Sequence, residues 1–277
     1  MSIVTRSSWT PPTDWSAAYD NRAAVGQPFV ETFLAEITAK AAAFREELTA
    51  ANRARIDLAY GERPRQRYDL FLPENQPTAL AVFIHGGYWR SFDKSFWSHL
   101  AAGPLAKGAV VAIPSYTLCP EVRIRDISDE MVRFLGKITQ DFPLPLHLIG
   151  HSAGGHLASN VLDRLPVERL AKVVSVSGLH DLRPLLHTAM NADLRLDVDE
   201  ARAESPILRE PVDGLDLTCW VGADELASFR LQNHLLADAW GALGARTEAI
   251  EAANRNHFTV IEDLADPESV LVKSLLI

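Results

Sequence analysis

Residues Leu146-His147-Leu148-Ile149 run directly into Gly150-His151-Ser152-Ala153-Gly154 and then into Gly155-His156-Leu157-Ala158. This is a largely apolar strand, a G-x-S-x-G turn and a helix, with no linker between them. A strand that is apolar at successive positions is buried on both faces, which places it inside a parallel sheet covered by helices. The turn then lies at the sheet's carboxyl edge and presents the Ser152 hydroxyl there as a candidate nucleophile. Chance supplies G-x-S-x-G in roughly one chain in ten of this length. The reading therefore depends on whether the rest of the chain supplies a parallel sheet, a base, an acid and donors for an oxyanion.

The sheet is legible. A second near-continuous apolar run, Ala79 to Ile84, ends in His85-Gly86-Gly87-Tyr88-Trp89. Strand patterns also occur at 109–114, 172–177, 215–221 and 246–252, with helical patterns at 93–108, 127–140 and 153–165 and, at the C-terminus, 259–264 and 267–277. Residues 55–60 and 66–72, joined by Gly61-Glu62-Arg63-Pro64, have the pattern of an antiparallel edge hairpin. Upstream, within an N-terminal helical segment 1–53, Phe29, Phe33, Ile37, Ala41, Phe44 and Leu48 recur at helical spacing after Pro28. That helix should pack on the body or overhang the site. Residues 180–211 have no clear sheet signal and form a lid-like insertion. The expected fold is α/β: one domain spanning 1–277, with a mostly parallel sheet of about eight strands flanked by helices.

Composition narrows the partners. A formal charge of −9 argues against a nucleic-acid surface, which needs clustered Lys and Arg. No window approaches the ~18 apolar residues of a membrane span, and MSIVTRSSWTPPTDW lacks the basic-then-apolar pattern of a signal peptide. The expected setting is cytoplasmic, with no membrane and a small-molecule amide or ester as partner. Oligomeric state is open, a homodimer included. Cys119 and Cys219 stand far apart and outside any C-x-x-C, so they are expected as small buried residues, with no metal site.

A serine nucleophile needs backbone donors for its oxyanion. Ala153 follows the nucleophile and provides one N–H. Gly86 and Gly87 permit unusual dihedrals, so the Gly87 and Tyr88 N–H groups are the expected second source, with Gly86, Tyr88 and Trp89 beside the substrate. His85 should brace this loop. The base must come late in the chain, and His257 lies in a polar loop after the last strand. His234 belongs to a helix face. His99, His147, His180 and His187 are expected to be structural, and His151 and His156 flank the elbow without a proton-transfer role. For the acid, Asp224 and Glu225 both follow a strand, and spacing alone leaves the choice open.

His85-Gly86-Gly87-Tyr88-Trp89, Ser115-Tyr116-Thr117-Leu118-Cys119-Pro120-Glu121 and Gly150 to His156 together carry a family likeness. The chain resembles α/β hydrolases, within them the arylformamidase (kynurenine formamidase) group and its relatives near the hormone-sensitive-lipase-type esterases. The resemblance covers residue 54 to the C-terminus and implies a serine hydrolase that needs no metal or organic cofactor. That family places its acid three residues after the strand-end glycine and four before a phenylalanine, which from Gly222 and Phe229 implies Glu225. It implies cleavage of an N-formyl aromatic amine such as N-formylkynurenine. The alternatives are a short-acyl carboxylesterase and a non-catalytic ligand-binding homologue, and the latter would not need Ser152, His257 and an acid together.

Overall fold

The computed structural model describes residues 10–165 and 167–276. The opening stretch read as lacking a signal peptide falls partly on residues 1–9, outside the described residues, as does Ile277, the expected end of the last helix. Eight strands form one sheet in the order β1-β2-β4-β3-β5-β6-β7-β8. They are β1 (Ala54–Ala59), β2 (Arg67–Phe71), β3 (Ala79–Ile84), β4 (Ala109–Pro114), β5 (Leu146–His151), β6 (Leu170–Val176), β7 (Asp216–Gly222) and β8 (Arg246–Ala252). β1 and β2 form the antiparallel edge hairpin, and β2 also runs antiparallel to β4. The remaining neighbours are parallel.

Two-sided burial follows from strand alternation. Leu80, Val82 and Ile84 join the core on one face, with Leu148 and with Ile127, Phe134 and Leu157 from the helices Ile124–Asp141 and Ala153–Asn160. Ala81 and Phe83 point the other way, into a core with Ile149, Val174, Phe33, Ile37 and Leu271. Burying each large apolar side chain contributes about 1.5–3 kcal/mol, so both layers hold the central strands between helices.

The N-terminal helix spans Gln27–Ala50 and buries Val30, Phe33, Ile37, Ala41 and Leu48 along one stripe. It packs on the body of the second layer. Leu34 of this helix and residues of the shorter turns before it, Trp15–Ala18 and Asn21–Val25, reach the site. The helix expected over 93–108 is instead two 3-10 turns, Lys94–Phe96 and Ser98–Ala101, followed by the helix Ala102–Ala106. Pro104 has no N–H to donate back to a preceding turn, so it fits only in a helix's first turn. The insertion at 180–211 holds four short helical pieces from Arg183 to Leu208. Among the described residues no helix is long and apolar enough to cross a membrane.

Candidate active site

Sheet register assembles the site. β3 and β5 are neighbours with Ile84 opposite Gly150, although β4 and the helices on either side of it separate them in sequence. The loop after β3 therefore lies beside the turn after β5, at the point where the strand order reverses, where such sheets bind ligands. Beyond β5, His151 pairs with Val176, Val176 with Trp220, and Gly222 with Ala252. The chain leaving β5, β6, β7 and β8 thus brings Ser152, Ser177, Glu225 and His257 to one edge.

The turn after β5 is tight. Ser152 has φ 57° and ψ −118°, a conformation that costs an L-residue on the order of 1–3 kcal/mol and persists because the surroundings enforce it. A Cβ on Gly150 would lie 2.0 Å from the Gly154 carbonyl oxygen, and one on Gly154 would lie 2.0 Å from that of Ile84. A Cβ on Gly86 would meet Ser152 Cβ at 3.0 Å. Glycine at these positions lets the helix start against β5 and lets the β3 loop press against the serine.

Ser152 Oγ lies 3.1 Å from His257 Nε2, and His257 Nδ1 lies 2.7 Å from Glu225 Oε2. All three residues are buried. The other carboxylate oxygen, Oε1, accepts from Ser177 Oγ at 2.5 Å and from the Gly222 N–H at 2.8 Å. Asp224 is exposed. The backbone N–H groups of Gly87, Tyr88 and Ala153 have no acceptor among the described residues. Ala153 also opens the elbow helix, whose free N–H groups and dipole favour developing negative charge.

Sequence reasoning missed several supports. Ser177 carries no motif and is found only through β6–β7 pairing. Tyr116, in a stretch noted for likeness alone, donates its hydroxyl to the His85 carbonyl at 2.9 Å and stacks on the His85 ring at 4.3 Å. His85 Nδ1 in turn contacts the Gly86 carbonyl at 2.7 Å, so His85 braces the loop. Trp89, expected beside the substrate, is 0% exposed. With φ 55° the chain rotates its ring inward, edge-on to His156 at 5.0 Å, and it does not line the cavity. Gly86 sits behind the serine rather than on the cavity wall.

The cavity over Ser152 holds about 310 Å³. Phe92, Trp97, Phe258 and Met190 form apolar walls, His151 lies beside the serine, and Tyr19 and Asn21 close it from the N-terminal segment. Thr188 to Met190 are the insertion's contribution. Among the described residues no group of three or more His, Cys, Asp or Glu is placed to hold a metal ion. Cys119 and Cys219 are buried and unpaired, and burial pushes both thiols up to about 12.

Burial also holds several histidines neutral. It pushes His85 down to about 4 and His156 and His180 to about 3. His151 is shifted well below 6.5, by burial and then by the neighbouring His257. Below about pH 6.5 the unfolded chain takes up protons that these sites refuse, so their contribution to stability, complete above that pH, is lost as pH falls toward 3–4. Each histidine removes roughly 1 kcal/mol per pH unit. Urea midpoints should therefore drop markedly from pH 7.5 to pH 5.5. An unchanged or higher midpoint at pH 5.5 would contradict neutral burial.

Comparison with known proteins shows the family. A model of the alpha/beta hydrolase family matches residues 81–276. Kynurenine formamidase of Danio rerio is 29% identical over 245 residues, 83% of this chain and 84% of that protein. Kynurenine formamidase of Drosophila melanogaster is 30% identical over 247 residues, 80% and 81% of the two chains. A crystal structure from Silicibacter sp. TM1040, provisionally named a thioesterase, is 43% identical with a TM-score of 0.89, covering 96% of this chain and 100% of that one. With matching sequence and fold over most of its length, the chain belongs to the α/β hydrolase family, in its arylformamidase-like group.

Proposed function

We propose that this hydrolase works by serine acyl transfer on a small amide or ester, and that its substrates are N-formyl aromatic amines such as N-formylkynurenine. The observation that carries the reading is the buried line from Ser152 Oγ to His257 at 3.1 Å and from His257 to Glu225 at 2.7 Å. In this reading His257 Nε2 takes the Ser152 proton as Oγ attacks the formyl carbon. Glu225 holds the imidazole in the required tautomer and balances the imidazolium. The N–H groups of Ala153, Gly87 and Tyr88 receive the tetrahedral oxygen. His257 then protonates the departing amine, and water activated by the same imidazole releases formate. These groups handle every proton and charge, so the reading calls for no cofactor. It takes the chain as one domain acting in the cytoplasm.

A cavity of about 310 Å³ with aromatic walls suits one ring-sized group. The formamidase names of the relatives favour the formamide. The thioesterase name of the 43% identical structure favours a second reading, cleavage of short acyl esters or thioesters on the same machinery. Comparing kcat/KM on N-formylkynurenine and p-nitrophenyl acetate separates them. The formamide should be preferred by at least about tenfold. An ester preference of orders of magnitude would move the function to a carboxylesterase, and no turnover of either would favour a non-catalytic homologue.

A further inference from the structure

Asn21 is 5% exposed and lines the cavity that contains Ser152 and His257. Neither its Oδ1 nor its Nδ2 has a hydrogen-bond partner among the described residues. Leaving a buried carboxamide unmatched on both atoms is costly, and native structures rarely do so without a reason. The side chain is also held in place. Asp20 caps the turn by accepting the Ala23 N–H at 3.0 Å. The Tyr19 carbonyl accepts the Tyr88 hydroxyl at 2.6 Å, and the Tyr19 hydroxyl accepts from Gln232 Nε2 at 3.3 Å. The segment carrying Asn21 is therefore tied to the loop that bears the Gly87 and Tyr88 N–H groups.

We infer that Asn21 determines specificity in this cavity by recognising substrates that carry an N–H donor and a C=O acceptor besides the carbonyl that Ser152 attacks. A carboxamide presents a donor and an acceptor side by side and is complemented by a ligand presenting the reverse. The inference rests on the serine-hydrolase reading of the cavity, and it does not depend on whether the scissile group is a formamide or an ester.

The test uses 4-acetamidophenyl acetate and 4-isopropylphenyl acetate, two aryl esters of comparable leaving group that differ in the distal amide. The wild-type enzyme should prefer the acetamido ester by at least about tenfold in kcat/KM, chiefly through KM. Asn21→Leu and the smaller, polar Asn21→Ser should each reduce that preference at least about fivefold. No preference in the wild-type enzyme, or a preference that survives in either folded variant, overturns the inference. If the wild-type enzyme cleaves neither ester, calorimetric titration with acetanilide decides on Asn21, and the serine-hydrolase reading fails separately only if N-formylkynurenine is not cleaved either. A Kd at least about fivefold weaker in Asn21→Ser supports its role, and an equal Kd, or no binding to wild type, ends it.

Discussion

Ser152→Ala is expected to lower turnover by on the order of 10⁴-fold or more on any substrate the enzyme accepts, because members of a nucleophile–base–acid unit fail together rather than additively. The remaining N–H donors would still bind a carbonyl, which leaves a residual rate above that in water. The fold should be retained. Alanine at φ 57° carries the same backbone strain as serine, and the lost 3.1 Å contact to His257 contributes about 1 kcal/mol. An organophosphonate should add one equivalent of mass to the wild-type protein, on the peptide containing Ser152, and none to the variant. Turnover within tenfold of wild type, or an adduct elsewhere, would remove Ser152 as nucleophile.

Glu225→Gln should cost roughly 10²–10⁴-fold in kcat, whereas Asp224→Asn should stay within about threefold. Oε1 of Glu225 sits where the Gly222 N–H and the Ser177 hydroxyl both donate. A glutamine must place its carbonyl oxygen there, which turns its NH₂ toward His257 Nδ1. That nitrogen would then have to accept, the proton would move to Nε2, and the imidazole could no longer take one from Ser152. Asp224 is exposed and has no such hold on the ring. Steady-state kinetics of the two variants decides the matter, and the reverse order of effects would shift the acid by one position.

Much of the architecture is readable because it is set by short-range physics. Two-sided apolar runs announce buried parallel strands, and the run from Ala79 to Ile84 coincides with the buried strand β3. The 55–72 hairpin forms at the sheet edge, where β1 is largely exposed and β2 is buried between β1 and β4. Residues 93–108 divide into two 3-10 turns and a short helix that holds Pro104 in its first turn, a break that end signals at Asp93 and Gly108 do not reveal. Trp89 turns away from the cavity because of a positive φ, which a sequence does not display and which reverses the direction of the ring. Ser177 and Asn21 carry no local signal. One reaches the site through strand pairing and the other from a segment more than a hundred residues before Ser152.

The elbow marks the division. By itself the sequence determined the strand–turn–helix, the G-x-S-x-G spacing and the glycines that permit it, because crowding in a tight turn depends on adjacent residues. Only the tertiary structure decided what meets the serine. The order β4-β3-β5 sets Gly86 against it, the end of β7 turns Glu225 inward and Asp224 outward, and the N-terminal segment places Asn21 over the cavity. Strand order and side-chain direction depend on contacts between distant parts of the chain, and hydrophobic periodicity, with a period of two or 3.6 residues, carries no record of which strands become neighbours.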